Sequence, residues 1–459
     1  MPDTDGDLQS LRRDLKRAAG MLMSAGSLLI VTHIDADGIT SGGIAARTAE
    51  RLGLDHRVVF EPKLTEDSIE LINCSGHDLV WICDLGSGYV TEFTRGNMVI
   101  TDHHAPDPRG PCGEEIVHIN PHLYGWDGSY EACGATMTYL LSKEVDPANR
   151  DCAHLAMGGA VGDFQDSNES RLVGLNRIPL EDSRELGIAM IEEDVRIFGR
   201  ETKPLVSFLQ YSTDPPIPGI TDDPSGVRGT LDTLGVRYRE DQSWNGLDPE
   251  QKRTIREELC SRLEPRLRNR LVGEVYTFPN MPSKGGLRDA KEFATVLNSC
   301  GRYDDAETGL RICLGDPDAL DVAERNRNDH RRNISVAIAL VKERDMVREG
   351  RFIRWFDAGS EIRDTVVGIV AGMLCNMYGE PHMPMIAFAD AEDGTKVSSR
   401  ADRNLVDKGL DLSVVMGTAA RMVGGMGGGH SVAAGATIPP SKKREFLDIV
   451  EDLVCAQLD

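Results

Sequence analysis

Short apolar runs alternate with amphipathic segments through the first 120 residues. A stretch at 8–24 carries Leu8, Leu11, Leu15, Ala18, Ala19 and Leu22 at helical spacing and ends near Gly26. The apolar runs SLLIVTH (27–33), HRVVF, DLVWICD, NMVIT and EEIVHIN follow, with the helix-like SGGIAARTAERLG and LTEDSIELINC between the early ones. Strand and helix in alternation predict an α/β fold on a doubly wound parallel sheet, whose ligands bind beyond the carboxyl ends of the strands. Three of the runs end directly in His, Asp or Asp-His-His.

The pattern weakens between about 190 and 345. Pro204, Pro215, Pro216, Pro218 and Pro224 predict a linker or irregular cover, 246–270 a small helical module, and 319–348 one long helix connecting two lobes. Arg325, Arg327, Arg331 and Arg332 on that helix form either a solvated face or a nucleic-acid path. A second α/β pattern starts near 351. RFIRWFDA, PMIAFADA and TKVSSRA are strand-like, 362–377 and 411–423 helix-like, and GGMGGGHSVAAGATIP precedes a last helix from 440. The expected domains are 1–190, a largely helical middle at 191–348, and a smaller C-terminal α/β domain at 349–459.

At 459 residues, two or three domains are the natural division. No run reaches the ~20 apolar residues of a membrane span, and the N-terminal stretch lacks the pattern of a signal peptide, so a soluble cytoplasmic chain is expected. The ten cysteines include no CxxC pair and read as reduced core residues. A net charge of −23 argues against clamping nucleic acid with a broad basic surface. A polyanionic substrate must then be held locally, and bound cations are the obvious means.

The segment VTHIDADGITSGG supplies the candidate chemistry. In extended backbone His33, Asp35 and Asp37 occupy alternate positions and face one side, Gly38 permits the turn, and the next helix opens with N–H groups suited to a phosphate oxygen. Asp84 follows LVWIC, Asp102 follows MVIT with His103 and His104 directly after it, and Asp163 lies in AMGGAVGDFQD. Acids at strand ends also cap helices, and a single Asp is often a turn residue. Four such pieces drawn from hard or borderline ligands read as a divalent-metal centre.

HIDADG, ICDLG, TDHH and GAVGDFQD resemble, in order, the four motifs of the DHH phosphoesterases, and GGGHSVAAG resembles the glycine-rich motif of their substrate-binding domain. INPHLYGWDGSYEACGA, IFGRETKPL, STDPPIPGIT, LRDAKEFATVLNSCGR and IRDTVVGIVAGML resemble archaeal RecJ-like proteins. The resemblance implies two cations, manganese preferred and magnesium accepted. His33 and Asp35 would hold one, Asp37, His103 and Asp163 the other, and Asp84 would bridge them. Asp102 would orient a histidine and His104 would face the substrate phosphate. Arg400, Gly427, Gly428, Gly429 and His430 would grip the nucleotide end; without the resemblance, the glycines read as a flexible or tightly packed turn. Cys133 stands where relatives often carry Ser, a departure that puts no ligand in doubt.

The function implied is two-metal hydrolysis by an exonuclease acting at the end of single-stranded DNA or RNA. The alternatives are a phosphodiesterase for short oligoribonucleotides or cyclic dinucleotides, and a partner of the GINS complex and replicative helicase with vestigial or accessory activity. The roughly 150 residues between the lobes exceed what a dinucleotide pocket needs.

Overall fold

A computed structural model describes residues 7–110, 113, 115–378 and 382–458. Cys112 and the side chain of Arg327 lie outside the described residues. The chain forms two compact units, 1–327 and 328–459.

In the first unit α1 (Leu8–Ser24) leads into β1 (Ser27–His33), followed by α2 (Ala36–Leu52), β2 (Asp55–Glu61), α3 (Glu66–Asn73), β3 (Leu79–Cys83), β4 (Met98–Thr101) and β5 (Ile116–Ile119). The five strands are parallel, in the order β2-β1-β3-β4-β5. Helices α4 (Gly134–Val145) and α5 (Ala153–Gly162) join α1 and α2 over one face, where Leu28, Ile30, Trp81 and Val99 are buried. Leu29, Val31, Val80, Ile82 and Ile100 face the other way and pack with Ile69 and Ile72 of α3. Burial on both faces is why β1, β3, β4 and β5 read as unbroken apolar runs. The chain leaves β1 for β2 on one side and then returns to β3 on the other, so the crevice of this sheet opens at the ends of β1 and β3.

β6 (Met190–Val195) pairs antiparallel with β7 (Val272–Thr277). Between them Phe208, Ile217, Ile220, Trp244 and Leu259 build a separate core. The proline-rich stretch is therefore an irregular cover and not a linker, because Ile217 and Ile220 anchor it. α6 (Ala290–Arg302) returns to the main core through Phe293 and Leu297. The long helix expected next is α7 (Ala319–Glu343), on which Arg325, Arg331 and Arg332 are exposed.

The second unit holds β8 (Arg348–Glu349), β9 (Arg354–Asp357), α8 (Asp364–Met377), β10 (Met385–Ala391), β11 (Gly394–Arg400), α9 (Leu412–Met422), β12 (Met426–Gly429), β13 (Ala433–Ile438) and α10 (Lys443–Leu458). Its sheet runs β12-β13-β11-β10-β9-β8, antiparallel except between β9 and β10. α8 covers one face through Val367, Val370 and Leu374, while α9 and α10 cover the other through Met416, Ala420, Phe446 and Val450. Among the described residues no helix is long and apolar enough to cross a membrane.

Candidate metal centre

β1 ends at His33 and the chain turns at once into a helix. Asp35 is the N-cap of α2, its Oδ1 accepting the Gly38 N–H at 3.0 Å, and Asp37 sits in that helix's first turn. Extended alternation of His33, Asp35 and Asp37 is thus corrected: a strand-to-helix switch brings them together, driven by the capping preference of Asp. Gly38 meets a close approach instead of a turn, since a Cβ there would stand 2.3 Å from the His33 carbonyl oxygen. The helix start is not an open phosphate cradle either. Its Ala36 N–H donates to Asn298 Oδ1 at 2.9 Å and its Gly38 N–H is taken by Asp35.

The helix start that holds an anion is that of α4. The buried Asp37 carboxylate accepts the N–H groups of Gly134 at 2.7 Å and Ala135 at 2.9 Å. A Cβ on Gly134 would stand 2.7 Å from Asp84 Cβ, and one on Gly159 2.5 Å from Asp37 Oδ1, so both glycines make room for carboxylates.

Asp84 leaves β3 in left-handed backbone at φ 56°, a conformation that aspartate tolerates. Its Oδ2 lies 3.5 Å from His33 Nδ1 and its Oδ1 3.3 Å from His103 Nε2. Asp35 Oδ2 is 3.0 Å from His33 Nδ1, while Asp163 Oδ2 is 3.1 Å and Asp37 Oδ2 3.7 Å from His103 Nε2. Two ligand groups result, His33–Asp35–Asp84 and Asp37–His103–Asp163, and Asp84 also groups with His103 and His104.

The tautomer of His103 is fixed from behind: Nδ1 donates to the Gly128 carbonyl at 2.7 Å, which leaves the Nε2 lone pair for the carboxylate side. Asp102 stands apart from the ligand groups. Its Oδ1 accepts from His104 Nδ1 at 2.8 Å and from the backbone of His103 and His104, and its Oδ2 from the Ser87 N–H. His104 itself is 46% exposed at its side chain.

Burial pushes the Asp37 carboxyl well above its ordinary range, and the charges of Asp84 and Asp163 add to the effect. Burial alone would lower His33 and His103, but the surrounding carboxylates outweigh it and hold both well above the usual imidazole range. For Asp35 and Asp102 burial acts upward and is overcome by His33 and His104 respectively, so both fall below the carboxylate range.

Residues 27–160 match the profile described as DHH family, N-terminal domain, residues 197–266 the DHH-CID domain, and residues 334–455 the DHHA1 domain. The chain belongs to the DHH superfamily. It is 29% identical over 446 residues, covering 94% of each chain, to an uncharacterized protein of Methanocaldococcus jannaschii. Its fold matches RecJ of Thermus thermophilus in complex with Mn²⁺ (17% identity, TM-score 0.57, 97% of this chain and 55% of that one). It also matches an exonuclease RecJ bound to manganese (18%, 0.54, 96% and 94%) and CDC45 of Entamoeba histolytica (12%, 0.60, 97% and 98%). This DHH protein spans about half the length of the Thermus RecJ chain.

The residues present in this DHH chain fit divalent metal. His33 Nδ1, Asp84 Oδ1 and His103 Nε2 are buried without a hydrogen-bond partner, and all three belong to the ligand groups. Imidazole nitrogen with several carboxylate oxygens is a donor set that divalent cations satisfy and protons alone do not.

Two neighbours of the site escaped sequence reasoning. Asn298 and Arg302 lie on α6, far along the chain. Asn298 ties down the start of α2, and a Cβ on Gly301 would stand 1.7 Å from the Ile34 oxygen, so the end of α6 presses directly on the loop between His33 and Asp35. Burial lowers the pKa of Arg302, which lies within electrostatic reach of Asp35. The one available signal was the segment LNSCGR, noted above only as a resemblance.

In the C-terminal unit Met426–Gly429 is an edge strand. Packing explains much of the glycine run: a Cβ on Gly427 would stand 2.7 Å from the Met416 oxygen, and Gly429 adopts φ 137°. Gly428 has open space around it. His430 follows in the hairpin turn, its N–H donating to Ala433 at 2.8 Å, and Arg400 pairs in register with that same Ala433. Arg400, Gly429 and His430 thus share one end of the sheet.

Proposed function

We propose that this chain is a divalent-metal-dependent exonuclease releasing nucleotides from the end of single-stranded DNA or RNA. The observation that carries this reading is the double ligand group at the ends of β1 and β3, with buried His33 Nδ1, Asp84 Oδ1 and His103 Nε2 left for a cation. Two cations, manganese by preference, would supply the Lewis-acid charge that water attack on a phosphodiester needs. His33 and Asp35 would hold one, Asp37, His103 and Asp163 the other, and Asp84 would serve both.

Asp102 holds His104 by Nδ1, which leaves Nε2 for the scissile phosphate. Burial pushes His104 down, the Asp102 charge more than compensates, and the raised pKa favours a proton available for donation to developing negative charge. Arg302 adds a second positive group beside Asp35. Arg400, His430 and the open Gly428 hold the nucleotide end.

End-labelled single-stranded DNA and RNA of graded length, with Mn²⁺, Mg²⁺ or chelator, test the reading. A ladder of shortened products is expected, and Asp84→Ala should lower the rate at least about a hundredfold while retaining the fold. Activity of that variant within tenfold of the parent would remove Asp84 from its role. Cleavage confined to two- to four-mers would favour the oligoribonucleotide or cyclic-dinucleotide alternative. The second reading, a partner of GINS and the replicative helicase, draws on the fold shared with the CDC45 structure. Absence of cleavage in any metal would favour it.

A further inference from the structure

α5 ends in a complete two-bond C-terminal cap. The Phe164 N–H donates to the Val161 oxygen at 3.1 Å and the Gln165 N–H to the Ala160 oxygen at 3.0 Å, with Asp163 as the C-cap. Phe164 therefore occupies the left-handed position that glycine normally fills, at φ 57°. Among the described residues six other non-glycine positions have positive φ, and all are Asp, Asn or Ser. These are short polar side chains that tolerate the conformation; a phenylalanine does not.

The fold gives nothing back for this. Phe164 is 74% exposed, whereas every other phenylalanine of the chain is buried or half-buried. The backbone is held in place from both sides instead. Asp163 Oδ2 faces His103, and the buried Gln165 donates through Nε2 to the oxygens of Gly128 at 2.8 Å and Ala132 at 3.2 Å while accepting from Asn176 Nδ2 at 2.7 Å. Next, Arg196 Nη2 donates to the Asp166 carbonyl at 2.7 Å and to its carboxylate at 2.5 Å. A ring presented to solvent by a rigid, strained turn, one residue from a metal-centre carboxylate, is placed to receive a flat apolar group.

We infer that Phe164 is a stacking platform for a nucleobase of the nucleotide adjoining the scissile phosphate. The inference rests on the nuclease reading above and adds how the strand is recognised. Phe164 follows Asp163 directly, with Cα atoms about 3.8 Å apart, so the base its ring would meet belongs to a nucleotide next to the phosphate that Asp163 serves. Stacking on a single ring accepts any base but requires that base to be unstacked from its neighbours, which favours a single strand without reading its sequence.

The test uses the full chain with Mn²⁺ and the variants Phe164→Gly and Phe164→Trp. The substrates are end-labelled single strands, either intact or with one abasic residue moved stepwise from the terminus. Phe164→Gly relieves the backbone strain, so its melting temperature and its manganese affinity by calorimetry should hold or rise. Its KM for the intact strand should increase about five- to a hundredfold, and Phe164→Trp should restore binding. In the parent, an abasic residue at one terminal position should cause a similar loss, and in Phe164→Gly no further loss. Equal kinetics for the parent and Phe164→Gly, additive losses, or a fall in melting temperature or manganese affinity would each overturn the stacking role. A parent enzyme that cleaves no strand in any metal would overturn the nuclease reading and this inference together.

Discussion

Burial and neighbouring charges shift the proton affinities of Asp37, His33, His103, Asp35 and Asp102, and the directions combine into a pH signature. Asp37, His33 and His103 bind protons more tightly in the folded chain than in an unfolded one. Without metal their protonated forms stabilise the fold. That contribution is complete below the unfolded values, about 4 for the carboxyl and about 6.5 for the imidazoles, and disappears as pH rises through the folded values. Asp35 and Asp102 have depressed values, so their contribution is present above about pH 4 and is lost only in acid. A divalent cation takes the place of the protons on the first group. The melting temperature of chelated protein should therefore fall between about pH 6 and pH 9 while manganese-loaded protein holds, so the gap between them widens. Scanning fluorimetry with and without EDTA reads it directly; a gap that stays flat or narrows would contradict the assigned directions.

Helix ends and strand ends do most of the positioning, and glycines decide how closely they meet. Gly134→Ala would bring a Cβ to 2.7 Å from Asp84 Cβ and to 2.9 Å from its Cα, atoms that cannot swing aside. Manganese affinity measured by calorimetry should fall by about tenfold or more with helix content retained. Gly20→Ala in α1 is the control, since nothing lies within 4 Å of its added Cβ. It should stabilise the chain by about 0.4–1 kcal/mol, read from chemical denaturation. The same contrast marks what was legible in the sequence. β1, β3, β4 and β5 showed as apolar runs because both of their faces are buried, and HIDADG and TDHH stood out because their acids and histidines sit at strand ends. How His33, Asp35 and Asp37 converge was misread, because a periodicity of two continues past the point where Asp35 caps a helix. Asn298 and Arg302 were invisible for another reason: contact between α6 and the Ile34 loop joins positions more than 260 residues apart, which no local pattern encodes. The glycine run stood out only through its resemblance to a family motif; that Met426–Gly429 pairs as a strand with β13 was not legible, because glycine carries no strand signature and the pairing is set by the partner.

For the whole molecule the governing fact is a net charge of −23, set against the polyanionic substrate proposed above. Many arginines are spent internally: Arg150 and Asp182, Arg177 and Glu274, Arg196 and Asp166, and Arg200 with Asp194 and Asp289 form ion pairs. On the proposed function, long-range attraction of a strand to the protein surface would be weak, and binding would come from metal charge, a few local cations such as Arg302, His104, Arg400 and His430, and contacts indifferent to salt. Counterion release makes this measurable, since each phosphate neutralised on a single strand contributes a slope of about −0.7 to log affinity against log salt. Two to four such contacts give a slope of about −1.5 to −3, against about −6 for a basic surface engaging eight or more phosphates. Values of kcat/KM for one oligonucleotide, taken from about 50 to 400 mM KCl at saturating manganese, should follow the shallow line. A slope steeper than about −5 would mean that a basic path, with the exposed arginines of α7 as the first candidates, carries the strand after all.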